Sequence, residues 1–249
     1  MAVVTPVFPT TLPADLAGDA APWAVDRAVL DLPYLLRMNC LRAGFFAGSY
    51  AVVETPALRE VSADAFRNAL TAYDAAADAL FAPERALAHR PAAVALIRAA
   101  TGASPAAGRA ATAMRAAFAT VEARMPDGTV PVADFERMLE VGYGPFTTDV
   151  LHLEEEMKAR CEANRAEAQD RALAAQRDAD TACADLRRIA RTVGIISINA
   201  GVEAARAGED GRAFSVIAKE IKGLSERAQD ATGRIGGAVE AMMSRLRAN

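Results

Sequence analysis

The chain has 249 residues, of which 52% are hydrophobic and 6% aromatic, and its formal net charge is −4 at pH 7. Helix formers dominate, with abundant alanine, which predicts an all-α protein with room for two structural units. The mild acidity and the lack of a basic patch with interleaved aromatics argue against nucleic acid as a partner. The cysteines at 40, 161 and 183 have the spacing of neither a disulfide framework nor a zinc site, which favours a reducing cytoplasm.

Residues 1–22 contain four prolines and are predicted to form a flexible tail. They lack the basic start and the apolar core of a signal peptide. The longest apolar run, residues 43–53, is far shorter than the ~20 residues that cross a bilayer. We therefore expect no transmembrane segment and a cytoplasmic location.

Residues 23–147 are predicted to form an N-terminal helical bundle, a possible sensor domain. Its first helix covers Trp23 to Val53 and is ended by Thr55-Pro56. Apolar residues recur at helical spacing in this helix, with Leu41 and Phe45 among them.

Further helices follow in this unit. Ser62-Ala63-Asp64-Ala65 is expected to cap the second helix, and Gly102 is expected to interrupt the third element. Gly142-Tyr143-Gly144-Pro145 predicts a break, after which a helix restarts near Phe146 and meets no further breaker before residue 208. The acidic run Glu154-Glu155-Glu156 is expected to lie on a solvated helix face.

Residues 148–249 are predicted to form a long antiparallel coiled-coil hairpin with its turn at 208–211. Apolar or small residues recur at steps of three and four on both sides of the turn, which indicates a heptad seam on each helix. The seams are Ala168, Ala172, Ala175, Ala179, Ala182, Leu186, Ile189, Val193, Ile196 and Ala200 before the turn, and Phe214, Ile217, Ile221, Leu224, Ala228, Ala231, Ile235, Ala238 and Met242 after it.

The two seams are expected to face each other within the hairpin. Gly208 is the usual kind of residue for a left-handed helix stop, and Asp210 is a good cap for the following helix. Because many seam positions are alanine and bury little area, we expect two copies to combine as a homodimeric four-helix bundle.

The residues around the turn also form a dense motif with fixed spacing. The motif comprises Asn199-Ala200, Glu203-Ala204-Ala205-Arg206-Ala207-Gly208-Glu209, Gly211-Arg212, Phe214, Glu220 with Lys222, and Leu224-Ser225-Glu226-Arg227. With these residues, the stretch from about 186 to 235 resembles the cytoplasmic signalling tip of bacterial methyl-accepting chemotaxis proteins. The resemblance implies an output module without catalysis, at which a chemotaxis histidine kinase and its coupling protein dock.

The resemblance further implies roles for single residues. Asn199, Phe214 and Val216 would belong to the docking face, and Val202, Glu203, Arg206 and Glu209 to contacts between dimers. Val216 lies off the heptad seam, as suits a contact residue. Glu203 and Arg206 are alternatively placed for a surface ion pair worth under about 1 kcal/mol. Arg191 stands where the family commonly has a large apolar residue, so we expect mixed assembly with other receptors or no trimer of dimers.

A shorter motif, Arg37-Met38-Asn39-Cys40-Leu41-Arg42, lies in the first helix. It is similar to an element of the helical sensor domain of type IV pilus transducers and nitrate sensors. The resemblance implies anion sensing by Arg37 and Arg42, since a guanidinium offers a planar fork of donors. The alternative is that both are solvated charges on an amphipathic helix of a unit that only dimerises.

Together these features predict a soluble chemotaxis-type signal transducer with no enzymatic activity, cofactor or metal. Its N-terminal bundle would relay a signal to the tip, which docks the kinase and the coupling protein. Two alternatives stay open: a structural adaptor that joins receptor arrays without sensing, and a generic coiled-coil interaction protein. Methylation is expected to be absent or reduced, because Glu240 stands alone and Glu155 lacks small-residue flanks.

Overall fold

The structure is a computed structural model that describes the backbone of residues 22–248 and the side chains of residues 27–244. Over this range the chain is helical apart from short connections, which confirms the all-α prediction. The helices are α1 (Pro22–Val52), α2 (Pro56–Phe81), α3 (Pro83–Ala86), α4 (Pro91–Ala103), α5 (Pro105–Arg124), α6 (Val132–Val141), α7 (Thr147–Arg206) and α8 (Arg212–Ala248). The predicted tail lies outside the described residues except for Pro22.

The chain divides into two compact units, and the division falls between Asn164 and Arg165. That point lies inside α7, a single helix of 60 residues. The domain start predicted at residue 148 falls at the beginning of the same helix. None of the helices in the described part of the chain is long and apolar enough to cross a membrane.

Aromatic side chains organise the core of the first unit. Phe118 makes edge-to-face contacts with Phe66 and Tyr73, with ring centroids 5.9 and 5.7 Å apart. Phe146 packs on Tyr73 at 6.0 Å. The buried Tyr73 hydroxyl donates to the carbonyl of Ala111 at 2.8 Å, so the phenol keeps a partner after losing water. These contacts hold residue 146 in place immediately before α7 begins.

Two helix boundaries in this unit differ from the prediction. α2 begins at Pro56, and Ser62 is buried inside the helix instead of capping it. Proline suits the first helical position because its fixed φ is helical and its missing N–H is not needed there. The break between α4 and α5 falls at Ser104, one residue before Pro105, and Gly102 stays helical. A proline ends the preceding helix because it lacks the N–H that would continue the hydrogen-bond ladder.

The predicted break before the long helix is confirmed. Gly142–Phe146 forms a π-helical turn in which Gly144 leaves the helical region, at φ −93° and ψ −110°. The Thr147 hydroxyl donates to the carbonyl of Gly142 at 2.5 Å, which closes the turn. From Thr147 the helix runs to Arg206 without interruption, as the absence of a breaker predicted.

The three cysteines are buried, and none of them forms a disulfide bond. Burial raises the pKa of the Cys40 thiol from 9.0 to about 12, because the thiolate would lose its hydration. Since the thiolate is the reactive form, we expect Cys40 to resist a maleimide at neutral pH until the protein unfolds. Mass spectrometry of the labelled chain, in native buffer and in concentrated guanidinium chloride, measures this. Rapid native labelling that disappears in Cys40→Ala would contradict it.

Candidate functional site

The second unit contains the hairpin turn. Gly208 ends α7 in the left-handed conformation, at φ 65°, as predicted. Asp210 does not cap α8, because it lies inside a 3-10 turn over Gly208–Gly211. Gly211 is buried against the preceding helix, and a Cβ at this position would overlap the carbonyl oxygen of Ala204. The turn therefore needs one glycine for its backbone angle and the other for close approach.

Small residues make the contact between α7 and α8. We call them the inner line; they are buried at seven-residue intervals: Cys183, Ala190, Ser197, Ala204, Gly211, Ala218, Ser225 and Thr232. The Ser225 hydroxyl donates to the carbonyl of Ala190 at 2.5 Å, a bond between the two helices. A Cβ on Gly194 would lie 2.8 Å from Ser225 Oγ, so a larger residue would displace the hydroxyl that bonds Ala190.

The predicted packing of seam against seam inside one hairpin is wrong. The large seam residues, which we call the outer seam, are between 37% and 70% exposed. They are Leu186, Ile189 and Ile196 on α7, and Phe214, Ile217, Ile221, Leu224, Ile235 and Met242 on α8. The heptad spacing is present, but the small residues one position away allow the closer contact between helices. The bulky side chains are left on a contiguous apolar face of the kind that another molecule covers.

A second apolar stripe lies on α7. Ile195, Ile198 and Val202, which we call the off-seam patch, follow each other at steps of three and four and are each at least 50% exposed. Counting about 100° per residue, they lie on the side of α7 roughly opposite the outer seam, and exposed Arg191 continues the same side. Ile195 and Ile198 were missed as functional candidates, although their spacing relative to Val202 was visible in the sequence.

The predicted tip residues are all exposed around the turn. They are Asn199, Val202, Glu203, Arg206, Glu209, Phe214 and Val216. They do not share one face, because Phe214 belongs to the outer seam and Val202 to the off-seam patch. Arg206 Nη1 donates to Glu203 Oε1 at 3.1 Å with both side chains in solvent, so the predicted surface ion pair forms. Such a pair contributes under about 1 kcal/mol, which leaves both side chains available for a partner.

Residues 157–248 match the family model for the methyl-accepting chemotaxis protein (MCP) signalling domain. This segment is an MCP signalling domain. It contains the turn, the inner line, the outer seam and the off-seam patch. The matched segment is less than half of the chain and lies mostly in the second unit.

Curated relatives match a short part of the chain. Methyl-accepting chemotaxis protein TlpQ of Pseudomonas aeruginosa is 40% identical over 62 residues, which are 25% of this chain and 9% of that protein. Methyl-accepting chemotaxis protein IV of Escherichia coli is 45% identical over 58 residues, which are 23% and 11%. Probable chemoreceptor y4sI of Sinorhizobium fredii is 38% identical over 61 residues, which are 24% and 8%. The chain thus matches about a tenth of the length of these relatives, and no solved structure matches it significantly.

Arg37 and Arg42 of the first helix hold different partners. Arg37 Nη1 donates to Glu154 Oε2 at 2.8 Å, and Arg42 Nη1 donates to Asn39 Oδ1 at 2.8 Å. Burial lowers the pKa of the Arg42 guanidinium. Glu154 is only 17% exposed and also accepts from Lys158 at 2.6 Å, so the solvated face predicted for residue 154 is wrong. Anion sensing by Arg37 and Arg42 stays a prediction.

Proposed function

We propose that this chain is a chemotaxis-type signal transducer whose hairpin tip docks a histidine kinase and its coupling protein. The observation that carries the proposal is the MCP signalling domain over residues 157–248. The N-terminal bundle is the input of this transducer, and α7 carries the signal to the tip because it is one helix from Thr147 to Arg206. A cytoplasmic location belongs to the same proposal.

The working form of the transducer is a homodimer. Two hairpins that bring their outer seams together remove nine large apolar side chains per copy from water. Burying one such side chain contributes about 1.5–3 kcal/mol, so this face is a strong association site among the described residues of the second unit. The inner line stays within each hairpin, and the result is a four-helix bundle.

Docking uses surface that dimerisation leaves free. Val216 is 67% exposed and lies off the outer seam, and Glu209 is exposed in the turn with Arg212 3.7 Å away. The off-seam patch provides a further apolar contact, for the kinase or for a neighbouring receptor dimer. Arg191 adds a charge to that side of α7, which favours mixed assembly with other receptors over a uniform trimer of dimers.

A pull-down of the full chain with a purified coupling protein and kinase tests the proposal. We expect the wild type to bind, and Glu209→Lys and Val216→Asp each to reduce binding at least about tenfold, since they place a reversed or buried charge in the contact. Glu167→Lys and Val132→Asp are matched controls, because both positions are exposed on helices outside the tip. These controls should bind as the wild type does.

The same experiment separates the alternatives. Wild-type protein that binds neither the kinase nor the coupling protein would overturn the proposal in favour of a generic coiled-coil interaction protein. A tip that binds both but leaves kinase activity unchanged under every condition that alters the first unit would favour the structural adaptor.

A further inference from the structure

The first unit contains a large pocket that no assigned function uses. Its volume is about 740 Å³, within the range of small-molecule sites. One wall is α1, and the other is formed by α6 and the turn Gly142–Phe146. The pocket reaches the fully buried side chains of Met114, Met138 and Phe146, so it enters the core and is not a shallow surface groove.

The rim of the pocket contains two large apolar residues of α1 that the fold leaves in solvent. Leu41 and Phe45 are 58% and 68% exposed, although they have the helical spacing of apolar residues. Both line the pocket, as do Val52 and Tyr143, which are exposed as well. A concave apolar wall with an aromatic rim fits an apolar molecule, because aromatic rings offer flat apolar surface and methionine side chains adapt to the shape of the ligand.

Charge at the pocket favours an anionic head group. Among the described residues that line it, Arg37 is the only basic or acidic side chain of the Lys, Arg, Asp and Glu types. Arg37 gives one N–H to Glu154, whose carboxylate also accepts from Lys158. The cluster of two cations and one anion has a net positive charge, and the guanidinium has further donors for a carboxylate.

The pocket also touches the beginning of the long helix. Gly142, Tyr143, Phe146 and Thr147 line it, and they include the non-helical turn and the first residue of α7. A bound molecule would therefore contact the segment whose geometry sets how α7 starts. A ligand that prefers one geometry of this turn shifts the equilibrium towards it.

We propose that this pocket binds a small monocarboxylate with an apolar body, such as a medium-chain fatty acid, with its carboxylate on Arg37 and its body between Phe45 and Met138. The binding site stands on the pocket itself, and its role as the input rests on the function proposed above. A carboxylate that accepts from the remaining N–H groups of Arg37 shares the guanidinium with Glu154, so binding weakens a contact between α1 and α7.

Calorimetric titration of the full chain with octanoate and with 1-octanol tests the site. We expect octanoate to bind at least about tenfold more tightly than the alcohol. Arg37→Gln should remove this preference, while Glu154→Gln should strengthen octanoate binding, because Arg37 is then no longer shared. A purely structural role of the ion pair would move both variants in the same direction. Arg98→Gln, which breaks an exposed ion pair with Glu84 in the same unit, is the control and should change nothing.

Three outcomes would overturn the proposal: no saturable binding of octanoate, equal affinity for octanoate and octanol, or parallel changes in Arg37→Gln and Glu154→Gln. A second copy of the chain is the competing occupant. The rate of maleimide labelling of the Phe45→Cys variant separates the two occupants. A second copy would be identified if labelling slows as the protein concentration rises but does not slow when octanoate is added. The pull-down with kinase and coupling protein is a separate measurement. Octanoate can therefore fail to bind while the tip still docks, and the tip can fail to dock while octanoate still binds.

Discussion

Replacing Gly211 with alanine is expected to disrupt the hairpin turn. The added Cβ would overlap the carbonyl oxygen of Ala204 and lie 3.0 Å from its Cα, and backbone atoms cannot rotate away as a side chain can. The last turn of α7 and the start of α8 must then separate. We expect the hairpin to lose at least about 3 kcal/mol in its free energy of unfolding, the upper end for an overpacked site. Thermal and denaturant unfolding followed by far-ultraviolet circular dichroism measures the loss.

Two other glycines calibrate this experiment. Gly208→Ala meets no atom within 4 Å, but its φ of 65° is left-handed, so it should cost only about 1–2 kcal/mol. Gly233→Ala also meets nothing and lies within α8, where alanine should stabilise by up to about 1 kcal/mol. The expected order of stability is Gly233→Ala, wild type, Gly208→Ala, Gly211→Ala. A Gly211→Ala protein as stable as Gly208→Ala would show that the turn is not limited by its contact with Ala204.

The hairpin was predictable from the sequence because its signals are local. A seven-residue rhythm on both sides of Gly208 requires two helices, and the left-handed stop at Gly208 places the turn between them. The seven-residue rhythm does not determine whether the inner line or the outer seam faces the other helix of the hairpin. Ala190, Ser197 and Ser225 are unremarkable in the sequence, yet small size is what allows Ser225 to bond the opposite backbone. A prediction that assigns the most hydrophobic residues to the contact between α7 and α8 therefore assigns the outer seam to it, which is wrong.

The same limit applies to the first unit. Leu41 and Phe45 have the spacing of core residues, but the number of neighbours available to cover them depends on how α6 and the turn before α7 fold back against α1. That arrangement is non-local, so helical periodicity cannot foresee a pocket at their position. The ion pair between Arg37 and Glu154 joins residues 117 positions apart and is invisible for the same reason. The role of Glu154 consequently changes from solvated charge to a partner of α1.

The second large effect is expected for the outer seam. Leu224→Asp replaces an apolar side chain that the proposed dimer buries, and the two-fold axis introduces the change twice. If each leucine contributes about 2 kcal/mol, the dimer loses about 4 kcal/mol, which weakens association roughly a thousandfold. The buried aspartates add a desolvation cost in the same direction. Sedimentation equilibrium over a range of protein concentrations measures the dissociation constant.

Val216→Asp is the matched control for that variant. Val216 is 67% exposed and Leu224 is 53% exposed, but only Leu224 belongs to the outer seam. It should leave the dimer intact while it reduces docking of the kinase and the coupling protein. Dissociation by both variants, or by neither, would show that the outer seam is not the dimer face. The two variants would lose docking for different reasons. Leu224→Asp removes the dimer that presents the tip, whereas Val216→Asp removes a docking contact on a dimer that still forms.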